Sequence, residues 1–219
     1  MKKTVLLLFA LVLSSLVEGQ VIKTVGVKSG ISVANQAWRI KTDNRLLDTE
    51  SRIGFYGVVS MAFLKSKYFS LNTDLGYYTK GSTQRVLNTS IAMPEGDGTF
   101  STFDTRLDYV VFSPMLRARY EVGPFIPYAL LGLRVDYQWL YRSDFSDQVV
   151  PNDFRRIIWG SSTGAGVEYR FKQIGLLVEG QYHHDFSRLI DTQPSANQAG
   201  LEVKNSALVW CVGLKHYLP

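Results

Sequence analysis

Cysteine is almost missing from this chain: Cys211 is the single one in 219 residues. That excludes a disulfide scaffold and a Cys-rich zinc site. Histidine is scarce as well, with three, and neither HExxH nor CxxC occurs, so no metal centre is expected. There is no GxxxxGK[ST] phosphate loop: the glycines of 26–30 and 160–166 precede no helical pattern. Long apolar runs are absent too. The longest, Val5 to Leu13, has nine residues, whereas a spanning helix needs roughly 20. Charge imbalance is small, at +5, and twelve Phe, twelve Tyr and four Trp accompany it, a composition that excludes a disordered chain. The length fits one domain.

The first residues read as an address. Met1-Lys2-Lys3 is a basic start, Thr4 to Leu13 is apolar, and Ser14 to Gly19 is a short stretch of mostly small and polar residues. This is the pattern of a secretory signal peptide over 1–19, giving a mature domain over 20–219. Losing Lys2, Lys3 and Glu18 takes the net charge from +5 to +4. In an exported chain Cys211, set in an apolar strand pattern, is expected to be a packed structural thiol.

What the mature chain has is period-two alternation. Eight segments show it, over about 23–34, 52–64, 68–80, 104–119, 127–141, 156–170, 174–186 and 205–218. In the third, Phe69, Leu71, Thr73, Leu75 and Tyr77 share one face, and Ser70, Asn72, Asp74, Gly76, Tyr78 and Lys80 the other. In the fifth, Leu131, Leu133, Val135, Tyr137 and Trp139 alternate with Gly132, Arg134, Asp136 and Gln138. In the fourth, 109–112 is apolar on both faces and Pro114 lacks a ladder donor, so a bulge is expected there. The connections run long, short, long, short, long, short, long. One elaborate rim and one plain rim are the mark of an up-and-down transmembrane barrel. The fold expectation is therefore all-β, an eight-stranded antiparallel barrel with its oily face toward lipid. Glycines 26, 30, 76, 160, 164, 166, 175 and 213 sit on the polar face, where a narrow interior needs small residues. Trp38, Trp139, Tyr141, Trp159 and Tyr217, near strand ends, are expected to form interfacial girdles.

Short motifs in a fixed order carry a resemblance: Gly26-Val-Lys-Ser-Gly30, Phe69 to Tyr77 followed by Lys80-Gly81, Tyr109 to Pro114, Pro127-Tyr128 to Gly132, and Gly164-Ala-Gly-Val-Glu-Tyr169. In these the chain resembles the PorT-like outer-membrane β-barrel family of Gram-negative envelopes. The resemblance implies an eight-stranded barrel in the outer membrane and no particular reaction. Such barrels often end in an aromatic residue read by the assembly machinery; this chain ends His216-Tyr217-Leu218-Pro219.

Three groups of residues could carry chemistry. Lys28, Arg134, Arg170 and Lys215 share the polar face with Asp74, Asp136, Glu168 and Glu179. Inside a narrow barrel these charges are expected to pair across strands, as a static polar plug or as a gate on a thin path. His183, Asp185 and Ser187 fall on one face of the seventh strand with His184 opposite, a row that a rim hydrolase could use, although no oxyanion donor accompanies it. Glu95-Gly96-Asp97-Gly98 lacks the spacing of a calcium loop and reads as a loop tip. Asn88-Thr89-Ser90 matches a glycosylation acceptor of no consequence in a bacterial envelope. The nets of 36–51, 81–102, 142–155 and 187–204 are 0, −1, −1 and 0, so no basic loop patch exists for nucleic acid. The expectation is a non-enzymatic outer-membrane protein without cofactor. Its neighbours are membrane lipids, and its four long loops are suited to adhesion, partner binding or envelope structure. A narrow pore or secretion accessory stands second, and a lipid-modifying enzyme third.

Overall fold

The computed structural model describes residues 22–47, 49–64, 66–88, 98–144, 155–194 and 200–218. The expected signal segment, and Glu95, Gly96 and Asp97 of the acidic loop tip, lie outside the described residues.

Eight long strands carry the fold: β1 (Ile22–Ile40), β3 (Glu50–Phe63), β4 (Phe69–Leu87), β5 (Phe100–Arg119), β6 (Phe125–Ser143), β7 (Ile157–Phe171), β8 (Ile174–Asp185) and β10 (Leu201–Tyr217). Two short ones, β2 (Arg45–Leu47) and β9 (Ile190–Asp191), lie alongside β1 and β10. Each long strand pairs antiparallel with the next in sequence, and β1 pairs with β10 from Thr24↔Tyr217 to Ile40↔Leu201, closing the ring. The fold is all-β and up-and-down, and closure leaves no sheet edge around the wall.

The register fixes the geometry of the wall. Thr24 pairs with Ala62, then Asn72, Met115, Gly132, Ser162 and His183 follow. His183 leads through Ala207 to Ala34, ten residues along β1 from the start. A stagger of ten over eight strands tilts the strands strongly and leaves an interior that side chains can fill.

The two faces divide as their chemistry demands. Val27, Leu75, Phe112, Leu133, Val178 and Val212 point outward and are exposed. Lys28, Asp74, Arg134, Glu179 and Lys215 point inward and are buried. On β5 the lipid-side row runs from Val110 to Ala118, nine residues, enough for a tilted crossing of the hydrocarbon layer at about 9–11 residues. Glycine serves the interior where a large side chain comes close. A Cβ on Gly166 would lie 2.5 Å from the Tyr128 hydroxyl, and one on Gly160 would lie 2.9 Å from Arg134 Nη2.

Several expectations are corrected. Strands run past the segments that alternation marked: β1 continues to Ile40, β4 to Leu87, and β10 begins at Leu201. Beyond the apolar band the outward face no longer meets lipid, while inward residues such as Trp38 and Val203 are themselves apolar, so the polar-in, apolar-out alternation that reveals a strand fades. The bulge expected over the stretch 109–114 falls at its start rather than at Pro114, with the extra residue on β6. Pro114 pairs with Thr73 in an unbroken β4–β5 register, and the slip falls where Asp108↔Leu140 gives way to Tyr109↔Gln138, leaving Trp139 extra. That slip turns Tyr141 inward, against the buried cluster of Leu107 and Ile158. Trp38 (8% exposed) and Tyr217 (8%) also face the interior, so of the five expected girdle residues only Trp139 (72%) and Trp159 (56%) face outward.

Candidate functional site: the ion-paired lumen

Alternation delivers every second side chain of eight strands to one narrow lumen, and the polar residues on that face meet in tiers. Nearest the short turns, Arg117 Nη2 donates to Glu168 Oε2 at 2.6 Å, Lys215 Nζ lies 3.6 Å from the same oxygen, and the Tyr217 hydroxyl donates to Glu168 Oε1. The Arg117 guanidinium lies 3.6 Å from the centre of the Tyr128 ring, whose hydroxyl donates to Glu179 Oε2 at 2.8 Å. This leads into the second tier. There Lys28 Nζ donates to Asp74 Oδ2 and Glu179 Oε1, both at 2.8 Å. Tyr56 donates to Asp74 and Gln181 to Glu179.

The third tier holds two cations against two carboxylates. Lys80 Nζ donates to Asp136 Oδ2 at 3.0 Å and to both oxygens of Asp185 at 2.8 Å. Arg134 Nε lies 3.0 Å from Asp136 Oδ1, and Arg134 Nη2 donates to Asp185. Tyr78 donates to Asp136 at 2.8 Å, and the rings of Tyr78 and Tyr109 each sit 5.1 Å from Lys80 Nζ. All four charged groups are fully enclosed. Across the three tiers five cations (Lys28, Lys80, Arg117, Arg134, Lys215) meet five carboxylates (Asp74, Asp136, Glu168, Glu179, Asp185). Such a balance is what a sequestered volume requires, because an uncompensated buried charge is costly.

Above the third tier the chemistry changes. Gln36 bridges Asn205, Ser82 and Trp38 in a neutral amide layer. Beside it Leu107, Ile158, Leu189, Ile190 and Val203 pack with Trp38 as an apolar cluster at the mouth. Leu189 and Ile190 arrive on a strap after β8, pinned by Leu189 N→Val203 O at 2.8 Å and Thr192 N→Leu201 O at 2.9 Å. On its outer side Asp191 accepts from Lys41 at 2.5 Å and Arg188 at 2.8 Å, and Arg188 also reaches Glu202 at 3.2 Å. The hydrogen bond from Lys41, and then that from Arg188, hold the Asp191 carboxyl below the usual carboxylate range.

Of the eight charges proposed for the interior from sequence, seven lie in these tiers. Arg170 is on the inward face but at the short-turn rim, half-exposed, 3.5 Å from Glu121 and stacked on Tyr217. Sequence reasoning left out Lys80, Arg117 and Asp185. Lys80 was visible on the polar face of its strand. Arg117 lay in the segment whose 109–112 stretch hid the inward phase. Asp185 was assigned to the row with His183 and Ser187, which the structure does not assemble. His183 Nε2 is 2.8 Å from Gln181 Oε1, Asp185 serves the two cations, and the Ser187 hydroxyl accepts from Trp159 N at 3.1 Å. Cys211 is buried in the lumen wall, its sulfur 3.9 Å from Glu179 Oε1.

Comparison with known proteins matches residues 23–191 to the family described as outer membrane protein beta-barrel domain. Among solved structures, the outer membrane protein OprG of Pseudomonas aeruginosa is similar in fold, with a TM-score of 0.59 at 10% identity, over 91% of this chain and 98% of that one. The outer membrane protease OmpT of Escherichia coli aligns with a TM-score of 0.50 at 10% identity, over 90% of this chain and 97% of that one. No curated protein sequence gives a significant match.

Proposed function

We propose a role from one premise: the chain belongs to the outer membrane protein beta-barrel domain family, and it resides in the outer membrane. The reading is a closed-lumen barrel of the PorT-like kind whose work is done at its elaborate rim, through adhesion, partner binding or support of the envelope. The observation that carries it is the filling of the lumen. Lys80, Arg134, Tyr78, Tyr109 and His183 are fully buried across the middle of the barrel, and Leu189 and Ile190 close the mouth above them. A filled eight-strand interior has no continuous water column, so activity must come from surfaces. Above the apolar band, β4 and β5 stay paired out to Leu87↔Phe100, while β2 and β9 widen the wall beside β1 and β10. This gives the long loops an ordered platform. The partners expected there are another envelope protein or an extracellular ligand, and membrane lipids surround the wall.

Planar-bilayer recording tests this reading. The refolded protein is expected to give no discrete channel openings at moderate voltage. Stable unitary conductance that disappears with a lumen-filling substitution would replace it with the narrow-pore reading.

A further inference from the structure

The charge of the mature chain is sorted by height. The lumen tiers balance, five against five. The segments at and beyond the long-loop rim hold eleven bases and twelve acids. By sequence, the short connections and the strand ends beside them contain Lys23, Lys65, Lys67, Arg119, Arg170 and Lys172 against Glu121 alone. The whole excess of positive charge therefore sits on the plain rim.

The described side chains show how that charge is presented. Glu121 is shared by Arg119 at 3.8 Å and Arg170 at 3.5 Å, which uses up the one acid. Among the described residues Lys23, Lys67 and Lys172 have no carboxylate within ion-pair distance. Two of them lie over exposed aromatics: Lys67 Nζ is 5.2 Å from the Tyr68 ring centre, and Lys172 Nζ is 5.6 Å from that of Phe171. Tyr68, Phe69, Tyr120, Phe125, Tyr169 and Phe171 are exposed around this rim, at the lower edge of the apolar band. An ammonium on a flexible stem above an interfacial aromatic is the arrangement that reaches lipid phosphate while the stem stays in hydrocarbon. Lys172 is held in place by backbone as well as by contacts, since it takes φ +53° in the tight β7–β8 turn. A groove of about 460 Å³, lined by Tyr68, Phe69, Tyr120 and Pro127 with Arg119 beside it, opens on the same rim.

We propose that the short-turn rim is a binding surface for anionic phospholipid headgroups of the periplasmic leaflet, with Lys67, Lys172 and Lys23 contacting phosphate. Short turns face the periplasm in barrels of this class, which puts these lysines at the inner-leaflet headgroups. The cationic ring would gather phosphatidylglycerol over zwitterionic lipid, hold the barrel at a fixed depth, and weaken as salt rises.

The test is native mass spectrometry of the full barrel released from nanodiscs of equimolar phosphatidylglycerol and phosphatidylethanolamine. Retained phosphatidylglycerol is expected to exceed phosphatidylethanolamine by roughly fivefold, falling toward parity in Lys23→Gln/Lys67→Gln/Lys172→Gln. The control Arg39→Gln/Arg188→Gln/Lys204→Gln, at the opposite rim, is expected to keep the preference. Heat-dependent gel mobility establishes that each variant is folded. Equal retention of both lipids by the parent protein overturns the proposal, as does an undiminished preference in the folded rim variant or an equal loss in the control. Parity of lipids together with salt-sensitive binding of poly-glutamate would assign the rim to an acidic periplasmic macromolecule instead.

Discussion

The lower lumen and the mouth are both filled with side chains, by opposite means. Below, five cations and five carboxylates fill the space and pair with one another, helped by tyrosine and glutamine bridges, while Asp74 Oδ1, Asp136 Oδ1 and Arg134 Nη1 find no hydrogen-bond partner among the described residues. Above, Leu107, Ile158, Leu189, Ile190 and Val203 fill it with hydrocarbon. The ionic part is built wholly from strand residues, whose positions the closed register fixes. The apolar part borrows Leu189 from the segment before β9 and Ile190 from β9 itself, and so depends on a strap folding over the opening. Directional pairing needs a rigid frame, and non-directional packing tolerates a hinge. The ionic region is therefore expected to be the stable element, and the mouth the one that opens locally.

The sharpest way to break this comparison is to unbalance the third tier. Asp185→Ala leaves Lys80 and Arg134 enclosed with Asp136 as the remaining carboxylate. Orphaning a buried charge costs about 3–5 kcal/mol, so the urea midpoint in lipid should fall steeply. Replacing the group together, as Lys80→Met/Asp185→Leu with Arg134→Met/Asp136→Leu, should recover most of that loss, because well-packed apolar residues substitute for buried ion sets at little net cost. If the single substitution proved as mild as the combined one, the tier would not be acting as a coupled set.

The same contrast explains what the sequence disclosed. The division of faces was legible because lipid and lumen impose a strict period of two, as in Phe69, Leu71 and Leu75 against Ser70, Asn72 and Asp74. Antiparallel closure and the unequal rims followed from the connection lengths. Partner choice inside was less legible, since pairing depends on the ten-residue stagger, which no single strand records. Lys28 meets both Asp74 and Glu179 because β1 lies between β3 and β10 with that offset. The phase of β5 was obscured where Tyr109 and Val111 face in and Val110 and Phe112 face out. Aromatics near strand ends were ambiguous for a related reason. Trp38 and Tyr217 have inward hydrogen-bond acceptors in Gln36 and Glu168, and Tyr141 is turned in by the slip at Trp139. The strap and β9 left no periodic signal, because two residues of strand are too few to show one.

At the mouth a smaller and more local effect is expected. Leu189→Ala and Ile190→Ala each empty part of the apolar cluster, where comparable core truncations cost about 2–4 kcal/mol. Because the strap can open without unfolding the wall, most of that cost should appear as local opening. Faster amide exchange at Leu189 and Thr192, with the urea midpoint of the barrel little changed, is the expected pattern. A large fall in the global midpoint would mean that mouth and wall unfold as one unit.

The mildest perturbation acts on the outer pins of the strap. The hydrogen bonds from Lys41 and then Arg188 depress the folded-state pKa of Asp191 below its ordinary value. A carboxylate with a depressed folded pKa contributes stability that is fully present above its unfolded pKa and is lost as pH falls through the folded one. The strap should therefore keep the same exchange protection from neutral pH down to about 4, the ordinary carboxylate value, and loosen only below it. Asp191→Asn should show the loosened state already at neutral pH and remove the acid dependence. The pair Lys41–Asp191 is partly exposed, so solvent screening keeps the effect small and added salt should erode it. Acid loosening of equal size in Asp191→Asn would place the responsible group elsewhere, with Glu202, which receives Arg188 and Lys204, the next carboxylate to replace.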